Sequence, residues 1–297
     1  MSLIVNHNSM AANVARNLNA HYGRLSTSTQ RLSSGMRINS AADDAAGLAI
    51  RELMRSDITT LQQGARNAND AISLIQTADG SLGIIDEKLI RMKELAEQAA
   101  TGTYDSTQRL MIESEYQAMA SEITRIAKST DFNGIKLLDG NLSSDTHNGS
   151  EMTATGKLKV HFGTGNDSAE DYYYIQIGNC TASALGVGND AKPGSAAYTV
   201  STQEAAQKAL EGITEAVVSK DKIRAHLGAM QNRLENTISN LTIQAENLRN
   251  SESRISDVDV ATEMTQMVRN QILTQSAVSM LSQANQMPQM AMQLIQG

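Results

Sequence analysis

The chain has 297 residues, of which 40% are hydrophobic but only 3% are aromatic, and it contains two prolines and no tryptophan. So few helix breakers and aromatic side chains favour long helices over the core of a compact enzyme. The net charge of −7, with no basic tract, excludes a nucleic-acid-binding surface. One cysteine excludes an intramolecular disulfide and a cysteine zinc site.

Two features bear on the compartment. No apolar run reaches the ~18 residues of a membrane span, so we expect no membrane insertion. The N-terminus has no positively charged region of the kind that opens a cleavable secretory signal. These features predict either a cytoplasmic protein or one exported by a route that uses no such signal.

The first predicted element is an amphipathic helix with few charges and no acidic residue. From Met1 to Ala42 there is no acidic residue, and the charged side chains are four arginines. Apolar residues recur at helical spacing, at Val14, Leu18, Leu25 and Leu32. A polar face without charges can enter a protein interface without leaving an unpaired charge, whereas frayed tails are usually charged. We therefore expect this segment to pack against other helices, including those of neighbouring copies.

A long helix is predicted next. Small and apolar residues alternate at spacings of three and four, which is a heptad seam. The seam residues are Leu61, Gly64, Ala68, Ala71, Ile75, Ala78, Leu82, Ile85, Leu89, Met92, Ala96 and Ala99. Ile50 and Met54 extend it upstream, and Asp43 or Asp44 suits the N-cap. The expected helix has roughly 55 residues and a length of about 80 Å.

A shorter helix should follow, from about Ser106 to Lys128. The residues expected to face inward are Leu110, Tyr116, Met119, Ile123 and Ile126. Beyond it, residues 141–200 are rich in Gly, Ser, Thr, Asn and Asp, which indicates loops. Lys157–Phe162 and Tyr172–Ile177 read as two strands of a β-hairpin. We predict a short, surface-exposed, β-rich segment in the middle of the chain.

The second half mirrors the first. Apolar spacing predicts another long helix from about Thr202 to Ser253, with a polar break around Ser256 and Asp257. From Met264 to Gly297 the one charged side chain is Arg269, so the last helix is also nearly uncharged. Its apolar residues recur at helical spacing, so we expect them to form one apolar face; they include Val260, Met264, Met267, Val278, Leu281 and Leu294.

Together these elements predict a mostly α fold. The two long helices should run antiparallel in a coiled-coil-like rod, with the two terminal helices paired and a small β-hairpin region in the middle. Three domains are expected: terminal helices in 1–42 and 256–297, a long-helix shaft in 43–140 and 201–255, and the β-rich segment 141–200.

No catalytic or cofactor site is predicted. None of the five histidines has a partner at metal-ligand spacing, and the chain has no HExxH, GxGxxG or phosphate-binding loop. Cys180 has no histidine within ten residues and no surrounding motif, so a buried, inert thiol is the better interpretation. We expect no enzyme, no metal and no cofactor.

Several segments resemble bacterial flagellins. At the N-terminal end these are LSSGMRINSAADDAAGLAI (Leu32–Ile50), QQGARNANDAISLIQTAD (Gln62–Asp79) and DFNG (Asp131–Gly134). At the C-terminal end these are ESRISDVD (Glu252–Asp259) and QANQMPQ (Gln283–Gln289). The resemblance covers about residues 1–140 and 203–297. The short middle segment indicates a form without the large outer domains of bigger flagellins.

The resemblance implies a structural subunit that polymerises into the flagellar filament for swimming. Such a protein is extracellular, and its partners are other copies of itself, the flagellar export apparatus, an export chaperone and the filament cap. The polymerisation residues would be the apolar ones of the two terminal helices named above. The alternatives are a hook–filament junction protein of the same architecture, a cytoplasmic coiled-coil signalling rod, and an enzyme with a metallopeptidase insert.

The resemblance also implies an animal partner, Toll-like receptor 5, with contacts at Arg91, Leu95 and Glu115. Arg91 and Leu95 are four residues apart and share a helix face, which would offer a charged and an apolar contact together. The alternative is that Arg91 pairs with Glu87 one turn back and that Leu95 belongs to the core.

Overall fold

The computed structural model describes residues 8–148, 155–168, 170–189 and 195–296, which are predominantly helical. The helices in this part of the chain are α1 (Ser9–Ser34), α2 (Ala45–Ala100), α3 (Ser106–Ser129), α4 (Ala182–Leu185), α5 (Gln203–Ser256) and α6 (Val260–Gln296). The mostly α fold predicted from the sequence is confirmed, and the bounds of α2, α3 and α5 lie within a few residues of those that the apolar spacing predicts.

Short strands connect the helices of the middle region. They are β1 (Asp131–Phe132), β2 (Ile135–Lys136), β3 (His147–Asn148), β4 (Thr155–Gly156), β5 (Leu158–His161) and β6 (Tyr172–Ile175). They form antiparallel pairs in chain order, with Leu158 opposite Ile175 in the predicted hairpin. The β1–β2 hairpin turns at Asn133 and Gly134, both at positive φ, as a two-residue turn requires.

The chain divides into two compact units. Unit 1 contains the described residues up to Ile58 and those from Glu246 onward, and unit 2 is Thr59–Ala245. The long helices α2 and α5 each contribute to both units. The predicted boundaries, by contrast, separate the terminal helices from the long-helix shaft near residues 42 and 256.

Unit 1 is built on the pairing of α1 with α6. The Asn8 side-chain amide donates to the carbonyl oxygen of Ala284 at 2.7 Å, and the guanidinium of Arg31 lies 3.8 Å from the carboxylate of Glu263. These contacts make the two helices antiparallel. Gly35, at φ 72°, ends α1, and its carbonyl accepts from the Val258 backbone N–H at 3.0 Å. The predicted pairing of the terminal helices is therefore confirmed.

Unit 2 contains an antiparallel core of α2, α3 and α5. Arg224 on α5 lies 2.7 Å from Asp79 on α2, and Lys220 lies 2.6 Å from Asp86. Helix α3 returns along α2, because the guanidinium of Arg109 donates to the carbonyl oxygen of Ala99 at 3.1 Å. All twelve predicted seam residues of α2 from Leu61 onward are buried.

Two predicted core positions are wrong. Ile50 is exposed, because the start of α2 is buried through Gly47 and Arg51 instead, and the Arg51 guanidinium donates to the carbonyl oxygen of Ile38 at 2.7 Å. Leu110 is also exposed, because the buried face of α3 begins at Ile112. In both places the neighbouring apolar residues are compatible with more than one buried helix face. Packing buries a different face from the predicted one.

The middle segment is less exposed than predicted. Its described residues include eleven apolar side chains that are buried in unit 2: Leu142, Val160, Phe162, Ile175, Ile177, Cys180, Ala182, Leu185, Val187, Ala197 and Val200. The Tyr116 hydroxyl on α3 donates to the carbonyl oxygen of Ala197 at 2.7 Å. The segment is thus part of the core of unit 2, since strands this short need a helical surface to cover their apolar side chains.

Candidate functional site

The side of α6 that faces α1 is small and polar. The buried residues of α6 recur at spacings of three, four and seven and contain no large hydrophobic side chain: Glu263, Asn270, Thr274, Ala277 and Ala284. Small side chains let two helices approach closely, and the hydroxyl of Thr274 donates within the helix, to the carbonyl oxygen of Asn270. Most of the larger apolar residues of α6 therefore lie outside the buried part of this contact.

Those larger residues lie on the exposed remainder of α6. Of the 22 exposed large hydrophobic side chains in the described part of the chain, ten belong to this helix. They are Val260, Met264, Val268, Ile272, Leu273, Val278, Met280, Met287, Met290 and Met292. Exposed apolar surface of this extent is uncommon in monomeric proteins and marks an interaction surface. We call these ten residues the α6 outer surface.

The residues proposed for polymerisation separate into two groups. Half-buried positions lie along the α1–α6 contact: Val14, Leu18, Leu25, Leu32, Met267 and Leu281. Exposed positions belong to the α6 outer surface: Val260, Met264 and Val278. The side chain of Leu294 lies outside the described part of the structure. The prediction that the listed apolar residues of α6 share one face is therefore wrong, because α6 is apolar around its circumference and α1 covers only one side.

Charges in unit 1 gather at one end of the α1–α6 pair. Arg31 lies 3.7 Å from Asp43 and 3.8 Å from the buried carboxylate of Glu263. Hydrogen bonds from the Ser40 backbone N–H and hydroxyl hold the pKa of Asp43 below its usual value. From Val260 onward the charged side chains are Glu263 and Arg269, so most of the α6 outer surface carries no charge.

The residues implied for receptor contact lie on adjacent helices of unit 2. The guanidinium of Arg91 on α2 donates to Glu115 on α3 at 2.8 Å and to Glu94 at 2.9 Å, and all three side chains are exposed. These hydrogen bonds raise the pKa of Arg91, and the bond that it donates to Glu115 is the largest cause. The alternative pairing of Arg91 with Glu87 is therefore wrong, because Glu94 and Glu115 are its partners.

The expected exposure of Leu95 is wrong, because its side chain is only 1% exposed. Helix α2 packs against α3 here and against α5 from Asp86 upstream, so its buried stripe is wider than a single heptad seam and includes Leu95 beside Ala96. The arrangement therefore offers an exposed ion pair over a buried leucine, rather than a charged and an apolar contact side by side.

The sequence analysis did not predict the buried charge on α5. Lys220 on α5 is 1% exposed, and its ammonium group lies 2.6 Å from Asp86 and 2.7 Å from Asp221. The sequence does contain an indication of this buried lysine. The apolar pattern of α5 is interrupted between Val217 and Ile223, and Lys220 occupies the position where the spacing predicts a buried residue. This pair fixes α5 against α2 and has no feature of a reactive site.

The described residues contain no group of three or more His, Cys, Asp or Glu side chains arranged to hold a metal ion. Cys180 is buried, and burial raises the pKa of its thiol to about 12. In the same part of the chain, no helix is both long enough and apolar enough to cross a membrane.

Comparison with known proteins identifies the family. The bacterial flagellin N-terminal helical region matches residues 5–143, and the C-terminal helical region matches residues 210–295. Together these matches cover most of the sequence. The chain belongs to the bacterial flagellin family.

Similar proteins span the full length of the chain. A flagellar filament 33 kDa core protein of Treponema phagedenis is 40% identical over 99% of this chain and 100% of its own length. A flagellin of Bacillus subtilis is 39% identical over 98% of this chain and 99% of its own. A solved structure described as a flagellar hook-associated protein of Vibrio parahaemolyticus is 15% identical, with a TM-score of 0.54 over 72% of this chain and all of the other, and shares the fold.

Proposed function

We propose that the chain is a structural subunit of a flagellar filament that serves swimming motility, and that it polymerises through its terminal helices. The observation that carries the proposal is the α6 outer surface, with ten exposed hydrophobic side chains on one helix. Burying such a surface against neighbouring copies supplies the free energy of association. Family membership supports a structural protein rather than an enzyme, and similar proteins of full length carry flagellin or filament names rather than hook names.

The near-absence of charge on α6 supports the same proposal. An uncharged apolar helix can be enclosed by copies of itself without burying unpaired ions. A filament also requires contacts that do not close into a ring. Each contact must therefore join one surface of a subunit to a different surface of its neighbour. Residues proposed for these contacts are Val260, Met264 and Val278 on α6. The half-buried residues along the α1–α6 contact hold the two helices together; they are Val14, Leu18, Leu25, Leu32, Met267 and Leu281.

Seeded elongation with charge variants tests this proposal. Val278→Asp places a carboxylate on the α6 outer surface without touching the α1–α6 contact, so we expect a folded subunit that elongates filament seeds at least tenfold more slowly. Val218→Asp adds the same charge at a similarly exposed position of α5 and serves as the matched control. Circular dichroism verifies the fold of both. Elongation of Val278→Asp at the parent rate would refute the proposed role of α6.

Export and location follow from the same proposal. We infer that the subunit leaves the cell through the flagellar export apparatus, with an export chaperone, and is added under the filament cap without removal of a leader. Family membership supports this inference. Mass spectrometry of subunits from sheared filaments tests the absence of cleavage, because removal of a leader would give a mass lower than that of the full sequence.

We also infer that the unassembled chain is a ligand of animal Toll-like receptor 5. The exposed Arg91–Glu115 ion pair bridging α2 and α3 supports a charged contact there, with Leu95 packing beneath it rather than touching the receptor. Truncation of an arginine anchor costs ~2 kcal/mol, or about thirtyfold in affinity. Receptor signalling by folded Arg91→Ala monomer tests this, with Arg125→Ala on the exposed Glu122 pair as the control. Unchanged potency would remove Arg91 from the contact.

A further inference from the structure

The α6 outer surface is rich in methionine. The chain has 15 methionines, and Met264, Met280, Met287, Met290 and Met292 are exposed by 40–56% on this one helix. We call these five residues the α6 methionines. Elsewhere in the described residues, the exposed methionines are Met10 and Met111. The sulfur atoms of the α6 methionines are therefore open to small reagents in the unassembled subunit.

We propose that the α6 methionines are oxidation sites that control assembly. In this proposal, a peroxide converts them to sulfoxides in the unassembled subunit and thereby prevents addition to a filament, whereas assembly shields the same side chains. The inference rests on the proposed function, because it requires that the α6 outer surface be buried between copies.

The chemistry is an oxygen-atom transfer. The thioether sulfur attacks one oxygen of hydrogen peroxide, and an S–O bond forms as the O–O bond breaks. The departing hydroxide takes the proton of the oxygen now bound to sulfur and leaves as water. Sulfur is oxidised by two electrons and peroxide is reduced by two. The product is a polar, chiral sulfoxide in place of a flexible apolar side chain, and reductases specific for each epimer reverse the change.

The other readily oxidised side chains of this protein are absent or buried, so peroxide reacts mainly with the exposed methionines. There is no tryptophan, and Cys180, the single cysteine, is buried. Burial also raises the pKa of its thiol to about 12, which suppresses the nucleophilic thiolate. The exposed methionines are thus the principal accessible sites of two-electron oxidation, and five of the seven described ones lie on α6.

Oxidation to sulfoxide makes the α6 outer surface polar at positions that we propose to be buried between copies. An unmodified methionine fills an irregular apolar contact because its chain is flexible and its sulfur is polarizable. A sulfoxide oxygen buried in the same contact would lose its hydrogen bonds to water. No α6 methionine lies in the buried α1–α6 contact, so oxidation should leave the fold of the subunit intact while it blocks assembly.

Oxidation of the purified subunit tests the proposal. Monomer is treated with graded hydrogen peroxide, sulfoxide is quantified at each methionine by peptide mass spectrometry, and the sample is added to filament seeds. We expect at least tenfold slower elongation when the α6 methionines are oxidised, unchanged circular dichroism, and recovery after treatment with both methionine sulfoxide reductases. Preformed filaments should show at least tenfold slower oxidation at the α6 methionines than monomer does.

Leucine variants identify the residues responsible. Replacement of all five α6 methionines by Leu conserves volume and apolarity, so this variant should elongate in peroxide as it does without it. Met111→Leu, which removes the exposed methionine of α3, should remain as sensitive as the parent. Equal sensitivity of the fivefold variant and the parent would overturn the proposal.

A second measurement tests the proposal even if the fivefold variant fails to assemble. After partial oxidation of the parent, sulfoxide at the α6 methionines should be depleted at least fivefold in the filament fraction relative to the monomer left behind. Equal sulfoxide content in the two fractions would overturn the proposal. Failure of untreated parent to elongate seeds would instead refute the proposed function, and that result involves no oxidant.

Discussion

Two glycines of α2 differ in how closely another part of the chain approaches them. A Cβ at Gly64 would overlap the carbonyl oxygen of Phe162, where the strand β5 ends against the helix, whereas nothing lies within 4 Å of a Cβ at Gly80. The side-chain amide of Asn67 donates to the His161 carbonyl at 2.9 Å beside this crossing. The sequence shows both glycines inside a heptad pattern, but it does not show that a segment about 100 residues away touches only one of them.

Alanine at these two positions should therefore change stability in opposite directions. Gly64→Ala forces the β5 end away from α2, and we expect it to lower the free energy of unfolding by about 2 kcal/mol. Gly80→Ala improves helix propensity without a clash and should raise it by up to about 1 kcal/mol. Urea unfolding followed by circular dichroism measures both changes. Changes of the same sign in the two variants would contradict the close approach at Gly64.

The buried ammonium group of Lys220 gives a second prediction at this scale. Asp86→Ala leaves the charge buried with Asp221 as its remaining partner, and we expect a loss of about 2 kcal/mol in the free energy of unfolding. Lys220→Met should cost less, because Asp86 is partly exposed and can be hydrated. Thermal unfolding of the two variants ranks them. A larger loss for Lys220→Met would show that the pair acts through attraction rather than through relief of a buried charge.

At the scale of the helices, the apolar spacing predicts a large part of the fold. Helix α2 begins after Asp44, whose carboxylate accepts from the Gly47 backbone N–H at 2.9 Å, as the predicted N-cap requires. Both long helices and the break before α6 were also predicted. The packing of α6 was not, because hydrophobicity alone does not say which side of an apolar helix meets its partner. The α1 contact selected Ala277 and Ala284, which are less hydrophobic than their neighbours.

The start of α6 gives a prediction with a definite pH dependence. Hydrogen bonds from the Thr262 hydroxyl at 2.6 Å, and from the backbone N–H groups of Thr262 and Ala261, lower the pKa of Asp259 below its ordinary value. A depressed pKa stabilises the folded state above the ordinary aspartate pKa, and this contribution is lost as the pH falls through the lowered value.

Acidification below about pH 4 should therefore loosen the first turn of α6. Asp259→Asn keeps an oxygen acceptor at all pH values, so its first turn should lose less protection. Amide hydrogen exchange of a peptide beginning at Val260, measured at pH 3 and pH 6 and corrected for intrinsic rates, compares the two proteins. Equal loss in both would exclude Asp259 as the titrating group.

For the whole molecule, sequence patterns were least informative in residues 141–200. Composition predicts loops and one hairpin there, and the β5–β6 hairpin is present. The burial of Phe162, Ile175 and Ile177 could not be predicted, since it depends on where α2, α3 and α5 leave apolar surface uncovered. The connection of this hairpin, from Thr164 to Ser168, is exposed. The Asp171 carboxylate organises it by accepting from the Asp167 backbone N–H at 2.7 Å.

This connection should accept added sequence while the subunit still assembles. Lengthening a surface loop costs free energy only with the logarithm of its length, so a short epitope between Gly165 and Asn166 should leave folding and seeded elongation close to those of the parent. The same epitope after Gly178, where a Cβ would already press against Ile223, should disrupt the core of unit 2. Antibody labelling of filaments by electron microscopy then shows whether the first epitope is accessible. Loss of elongation in a correctly folded Gly165 insertion would place this loop at a contact between subunits rather than on the outer surface of the filament.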